Sequence, residues 1–336
     1  MVFSIVVNLF IFNSRMMKNR FISGALKIFF FVALIVILDQ TVGSVLRVLY
    51  FNQKEGQDHS LIHSIKDSKE DVLIIGASQA QNNYDPRIIS SALNMSCYNA
   101  GLDGGHSIIM QYAQIKIITE RYIPKVIILE FNPENIVHYK GDYDRLSILL
   151  PYYKDYPEIR PFIYLKGPYE QVKLLSAIYP FNSNIISMIV YNTNSYAGRK
   201  RDIQGYVSKK EVLNKSMIGT QIEKKTEGVV DPNMVSALRN IIQICKEKNI
   251  SLYIVSSPLF HEINEKQGLP SSAASIAMEI IRTNKVHFFD FSYDTTFSRH
   301  MELFYDLKHL NEKGATIFSQ KLSVLLMKNE NQFTIR

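Results

Sequence analysis

The sequence predicts an α/β domain with a central parallel sheet, carried behind an N-terminal membrane-spanning helix. Three observations lead there. Phe21–Leu38 is an apolar run of about 18 residues interrupted only by Lys27, Ser23 and Gly24, which as a helix just crosses a hydrocarbon core. From Asp71 onward, short apolar runs alternate with amphipathic stretches. Several of those runs end on a small or polar residue suited to chemistry, at the edge where open α/β sheets gather their ligands.

The apolar run is preceded by Arg15, Lys18 and Arg20, and fewer basic residues follow it closely. The positive-inside rule therefore puts residues 1–20 in the cytoplasm and the rest of the chain beyond the membrane, periplasmic or extracellular. No small-residue cleavage site follows the run, and Asp39 leads into a further apolar patch, Val45–Phe51, so 21–38 is expected to be an uncleaved anchor rather than a signal peptide. The earlier run Val2–Phe12 is too short to span, and a start at Met16 or Met17 would leave a basic-then-apolar anchor. Residues 39–70 read as a linker, polar over Asn52–Glu70.

The α/β domain is expected over 71–330. Its strands are read at Val72–Ile75, Ser96–Asn99, Val126–Phe131, Leu252–Val255 and His287–Phe291. Asp85-Pro86 and Asp231-Pro232 each pair an N-cap with a first helical residue. Beyond the second pair, Met234, Leu238, Ile241 and Cys245 share one helical face, and a last helix from Asn311 aligns Ala315, Phe318, Leu322 and Leu325. Residues 133–225 break the alternation and read as an inserted, partly helical lid or substrate subdomain. Its tyrosines, Tyr143, Tyr152, Tyr153, Tyr156, Tyr164, Tyr169, Tyr179, Tyr191 and Tyr196, with the basic Arg199, Lys200 and Arg201, suit either a sugar or lipid surface or plain packing.

Composition excludes some classes. A net charge of +7 over 336 residues is modest and dispersed, with no zinc-finger or RNA-binding pattern, so no nucleic-acid partner is expected. Two cysteines, Cys97 and Cys245, make no disulfide framework and read as buried thiols. The histidines show no metal-ligand spacing, and no cofactor is expected.

Acyl transfer to a hydroxyl needs a nucleophile, a base and a carboxylate that holds the base in one tautomer. Ser78 follows the first strand in VLIIGASQAQNNYDP, and FYDLKHLNEKG places Asp306 three residues before His309, ahead of the last helix. YNAGLDGGHS after the second strand offers backbone N–H groups for an oxyanion, and ILEFNPEN puts Asn132 at the end of the third. His106, Ser257, His261 and Asp290 also lie near strand ends and read as loop or capping residues.

Together these pieces resemble the SGNH or GDSL-like hydrolases, whose four blocks supply serine, glycine, asparagine and histidine in that chain order. Here the blocks give Ser78, Gly104, Asn132 and Asp306-x-x-His309, over roughly Asp71–Phe131 and Leu252–Leu326. The first block lacks the family's aspartate before the serine, and the third begins with Glu130 rather than glycine. Membrane-anchored envelope members, including the D-alanyl transfer and alginate O-acetylation proteins, share this layout. The resemblance implies an SGNH/flavodoxin-like three-layer sandwich and a Ser78–His309–Asp306 triad. It places Ser78, Gly104 and Asn132 around the oxyanion. The implied activity is that of an acyl esterase or O-acyltransferase on an envelope or extracellular polysaccharide, anchored in membrane lipid and served by a membrane-bound acyl-donating partner. The rival within the fold is a catalytically inactive scaffold that binds glycan or assembles an envelope complex. An α/β-hydrolase elbow is disfavoured because Ala80 replaces its last glycine, and a dinucleotide site because Gly-x-Gly-x-x-Gly is absent.

Overall fold

The structure is a computed structural model that describes residues 2–53, 56–104, 107–139, 141–192, 204–214, 229–262 and 271–333. Five strands, β1 (Val72–Ile75), β2 (Cys97–Asn99), β3 (Val126–Glu130), β6 (Ser251–Ser256) and β7 (His287–Asp290), form one parallel sheet in the order β2-β1-β3-β6-β7. All five lie where the apolar runs predict them. A parallel sheet covered on both faces needs strands that are apolar throughout. Along β1, Leu73 and Ile75 enter one core while Val72 and Ile74 enter the other, and β3 divides the same way.

The helices follow from caps and faces. α1 (Val2–Phe51), α2 (Gln57–Lys66), α3 (Ser78–Asn83), α4 (Pro86–Leu93) and α5 (Ile108–Arg121) precede the insertion, and α6 (Arg160–Tyr164), α7 (Glu170–Lys173) and α8 (Ile185–Asn192) lie within it. α9 (Pro232–Glu247), α10 (Ser272–Thr283), α11 (Thr295–Ser298) and α12 (Glu312–Phe333) complete the chain. Asp85 accepts the Arg87 N–H at 3.0 Å and Asp231 the Asn233 N–H at 2.8 Å, so both Asp-Pro pairs open helices as their sequence predicts. α9 packs on α5 beneath one face, burying Met234, Leu238, Ile241 and Cys245, and α12 packs on α4 over the other, burying Ala315, Phe318 and Leu322. Both cysteines are buried free thiols, and burial pushes Cys245 up to about 12.

α1 contains a segment, Ile22–Phe51, long and apolar enough to cross a membrane, with an 18-residue window of mean hydropathy 2.3. Residues 39–70 are not the linker expected, nor is Asn52–Glu70 a purely polar stretch. α1 continues through Phe51, and α2 drives Leu61, Ile62 and Ile65 into the core. The polar composition conceals a short amphipathic face at i, i+1 and i+4.

Between β3 and α9 the insertion is built of short helices and turns. Its base is a two-stranded antiparallel ribbon, β4 (Val137–His138) with β5 (Val229–Val230). Most of its described tyrosines pack or pair internally: Tyr152 is fully buried, Tyr153 and Tyr164 share a hydrogen bond of 2.8 Å, and Tyr179 donates to Glu170 at 2.7 Å. Tyr196, Arg199, Lys200 and Arg201 lie outside the described residues. The segment 204–213 returns across the sheet edge: the Gln204 carbonyl accepts from Asn99 N–H, Val207 N–H donates to Gln81 C=O, and Leu213 N–H donates to Phe304 C=O.

Gly205, at φ +86°, lets this strap lie against β2, because a Cβ there would meet the Asn99 carbonyl oxygen at 1.7 Å. Gly205→Ala is therefore expected to cost at least about 1–3 kcal/mol, by strain and by lifting the strap. Denaturant unfolding of the two proteins checks this, and equal midpoints would contradict it.

Candidate active site

The site begins at the end of β1. Gly76 permits the sharp turn from strand to α3, since a Cβ there would stand 2.7 Å from the Cβ atoms of both Ala80 and Glu130. Ser78 is the first residue of α3 and is 7% exposed. Its hydroxyl meets His309, which arrives from the far end of the chain on the turn ahead of α12. Phe304 bridges to Leu310, and the Tyr305 N–H donates to the His309 carbonyl at 2.8 Å, closing residues 304–310 into a compact loop. Asn311 accepts the Gly314 N–H at 3.0 Å and opens the helix, so the stretch is both helix start and histidine loop.

Ser78 Oγ lies 2.8 Å from His309 Nε2, and His309 Nδ1 lies 2.8 and 2.9 Å from the two Asp306 oxygens. The backbone N–H groups of Lys308 and His309 also donate to Asp306 Oδ1, each at 2.8 Å. Burial pushes the Asp306 carboxyl up. The hydrogen bond and charge of His309, with the two backbone donors, outweigh burial and hold Asp306 below the usual carboxylate range. An ionised Asp306 fixes the imidazole with a proton on Nδ1 and a lone pair on Nε2, facing the serine.

Gly104 and Asn132 stand apart from this chain of contacts. Register sets Ile75 beside Leu129 and Ile74 beside Asn99, so Ser78, Gly104 and Asn132 each follow the carboxyl end of one of three adjacent strands. The loop bearing Gly104 lies on the other side of β1, tied to it by the Leu102 N–H donating to Gly76 C=O at 3.0 Å. Gly104 itself is exposed at φ +81°. The Asn132 oxygen accepts the Glu134 N–H at 2.9 Å as a cap, which leaves its amide NH2 outside that bond. Among the described residues neither Gly104 nor Asn132 hydrogen-bonds the triad. His106 lies outside the described residues. His261 bonds the Ser298 carbonyl through Nδ1, and Asp290 caps its own turn by accepting from Ser292.

Sequence reading missed a second set of polar residues. The Asn83 amide donates to Ser257 Oγ at 2.9 Å, and its oxygen accepts the Leu310 N–H at 2.9 Å. Gln79 Nε2 lies 3.2 Å from the same Ser257 Oγ and 3.3 Å from the Lys308 carbonyl. Two side chains of the serine-bearing helix thus grip the backbone on either side of His309. Ser257 in turn donates its N–H to Glu130, which also accepts a short hydrogen bond from Tyr84. Glu130 is buried, and desolvation pushes it up to about 7 against the opposing pull of Tyr84 and Ser257. The signal that would have found this set is a run of amides, Gln79, Gln81, Asn82 and Asn83, in a helix too short to need them on its surface.

No protein-family model matches the chain, and no curated protein matches its sequence. Among solved structures it is similar to an acetyl xylan esterase, with a TM-score of 0.38 and 12% identity over 75% of this chain and 97% of that one. It is also similar to a Bacteroides fragilis protein named as an acylhydrolase, with a TM-score of 0.33 and 13% identity over 79% and 88%. At these values no property of either protein is transferred to this chain.

Two predictions arise from the buried set. Native Glu130 holds its proton up to pH about 7, whereas an unfolded glutamate releases it near 4.5. Stability is therefore greatest below that lower value, falls as pH rises through the interval by about 3 kcal/mol, and is flat above it. Glu130→Gln should lack this decline in urea unfolding measured from pH 4.5 to 8; parallel slopes for the two proteins would contradict the assignment. Asn83→Ala leaves the Leu310 N–H without its partner, removes one of the two amide donors to Ser257 Oγ and loosens His309, which should cost about 1–3 kcal/mol of stability. Any serine-dependent turnover should fall by roughly 10- to 100-fold with little change in KM, as a misplaced base would.

Proposed function

We propose that this chain is a serine-dependent acyl esterase or O-acyltransferase acting on a cell-envelope or extracellular polysaccharide. The observation that carries the reading is the continuous hydrogen-bonded path from Ser78 through His309 to Asp306. Ser78 Oγ attacks the acyl carbonyl while His309 Nε2 takes its proton, and Asp306 steadies the imidazolium. The tetrahedral oxyanion is held by the Ser78 and Gly104 N–H groups and the Asn132 amide, a role supported by their all following the carboxyl ends of three adjacent strands. Return of the proton from His309 to the leaving alcohol gives the Ser78 acyl-enzyme. Deacylation reverses the roles, with water or a sugar hydroxyl giving its proton to His309 and taking the acyl group.

The substrate class rests on the likeness of the four sequence blocks to envelope O-acylation proteins. That layout also supports an extracytoplasmic domain behind the α1 anchor and a membrane-bound partner that supplies the acyl group. Transfer and hydrolysis differ in which hydroxyl reaches the acyl-enzyme.

The test is turnover of a chromogenic acetyl ester. Asp306→Asn should retain the fold and lose about 10⁴-fold in kcat. His309→Ala and Ser78→Ala should lose at least as much, and undiminished activity of Ser78→Ala would sink the proposal. With an acyl donor and oligosaccharide acceptors present, a mass gain on the sugar assigns transfer. Free acid with every acceptor assigns the esterase.

A further inference from the structure

Part of the insertion presents a surface that the triad does not use. Tyr169, Val172, Leu175 and Ile186 are 64–79% exposed, and beyond α1 only Val229 among the described large apolar residues is as exposed. These four residues belong to the stretch that wraps α1. Ser176 Oγ and the Ala177 N–H bond the Asp39 carboxylate at 2.5 and 2.7 Å. A Cβ on Gly43 would meet Ala177 at 2.4 Å, and Phe181 packs on Tyr50 with ring centroids 5.8 Å apart.

Helix length sets the height of this contact. The apolar segment Ile22–Phe51 has 30 residues. At about 1.5 Å per residue it is roughly 45 Å long, against a hydrocarbon core of roughly 30 Å. If the core begins near Phe21, its far edge falls about 20 residues on, within one turn of Asp39, the first carboxylate of α1. Gly43 stands about 6 Å higher along the axis. Ser176 and Ala177 are thereby held at the level where acyl chains give way to headgroups, with Leu175 immediately beside them.

Charge points the same way. Between Lys166 and Asn192 the only acid is Glu170, which is 2% exposed, neutralised by Lys173 at 2.7 Å and hydrogen-bonded by the Tyr179 hydroxyl. The surface is apolar, tyrosine-bearing and cationic with no exposed carboxylate, the composition of a segment that beds in lipid headgroups.

We propose that the 169–186 face of the insertion lies in the membrane interface as a second contact beside α1, which fixes the orientation of the α/β domain over the bilayer. The inference rests on α1 crossing the membrane. A flexible tether would let the domain swing; two contacts on one rigid body hold the sheet edge bearing Ser78 at one height and angle.

The test is lipid quenching of an environment-sensitive fluorophore on single cysteines introduced in the full chain. It is reconstituted in phosphatidylcholine/phosphatidylglycerol nanodiscs that contain a nitroxide-labelled lipid. Cys97 and Cys245 are each 2% exposed and stay unlabelled. Labels at Phe30→Cys, Leu175→Cys and Ile186→Cys are compared with Val324→Cys, on α12 across the sheet from α1. The expected result is a blue-shifted label at Leu175 and Ile186 that loses most of its fluorescence to the nitroxide, as Phe30 does, with none lost at Val324. Quenching at Phe30 but not at Leu175 or Ile186 overturns the inference and spares the anchor. Labels at Leu175 and Ile186 shielded from aqueous iodide but untouched by the nitroxide overturn it in favour of a protein partner. No quenching at Phe30 removes the anchor and the inference together.

Discussion

The hydrogen bond between Ser78 Oγ and His309 Nε2 joins residues 231 positions apart, and much of the fold bears on keeping them at 2.8 Å. Neither partner is placed by its own neighbours alone. Ser78 is set by a strand-to-helix turn that only glycine at 76 allows, and His309 by a loop closed between Phe304 and Leu310. Those two supports meet in the amides of Gln79 and Asn83, which reach from the serine helix to the backbone either side of the histidine. Burying so many polar groups is tolerable because each finds a partner; removing one strands several others.

Much of this was legible in the sequence because it is local. β1, β3 and β6 declare themselves as apolar runs, since central strands of a parallel sheet buried on both faces require one. The two Asp-Pro starts and the stripe of the last helix are read from spacing within a few residues. Ser78, Asp306 and His309 were visible as reactive residue types at strand ends or helix starts, and the structure brings them into contact. The brace was hidden for the opposite reason. Asn83, Ser257 and Glu130 each look ordinary in their own segments and acquire meaning only when β3, β6 and α3 converge. The stretch Asn52–Glu70 was misread because its polar residues outnumber the three apolar ones, Leu61, Ile62 and Ile65, that bury it.

The insertion links the two ends of the molecule's organisation. Its strap, 204–213, crosses from β2 and α3 to the Phe304 loop and Glu312, alongside both halves of the triad, while its 169–192 portion clasps α1. Arg47 adds a salt bridge to Asp155 at 2.5 Å on the same helix. One inserted segment therefore touches the apolar helix and the elements that carry Ser78 and His309.

The central claim is that Ser78 carries the acyl group between donor and acceptor. Rapid acid quench of the protein during turnover of an acetyl ester, followed by intact-mass measurement and peptide mapping, tests it most directly. One acetyl group is expected on the peptide that contains Ser78, absent in Ser78→Ala and accumulating more slowly in His309→Ala. An acetyl group mapped to any other residue, with turnover intact, would contradict it.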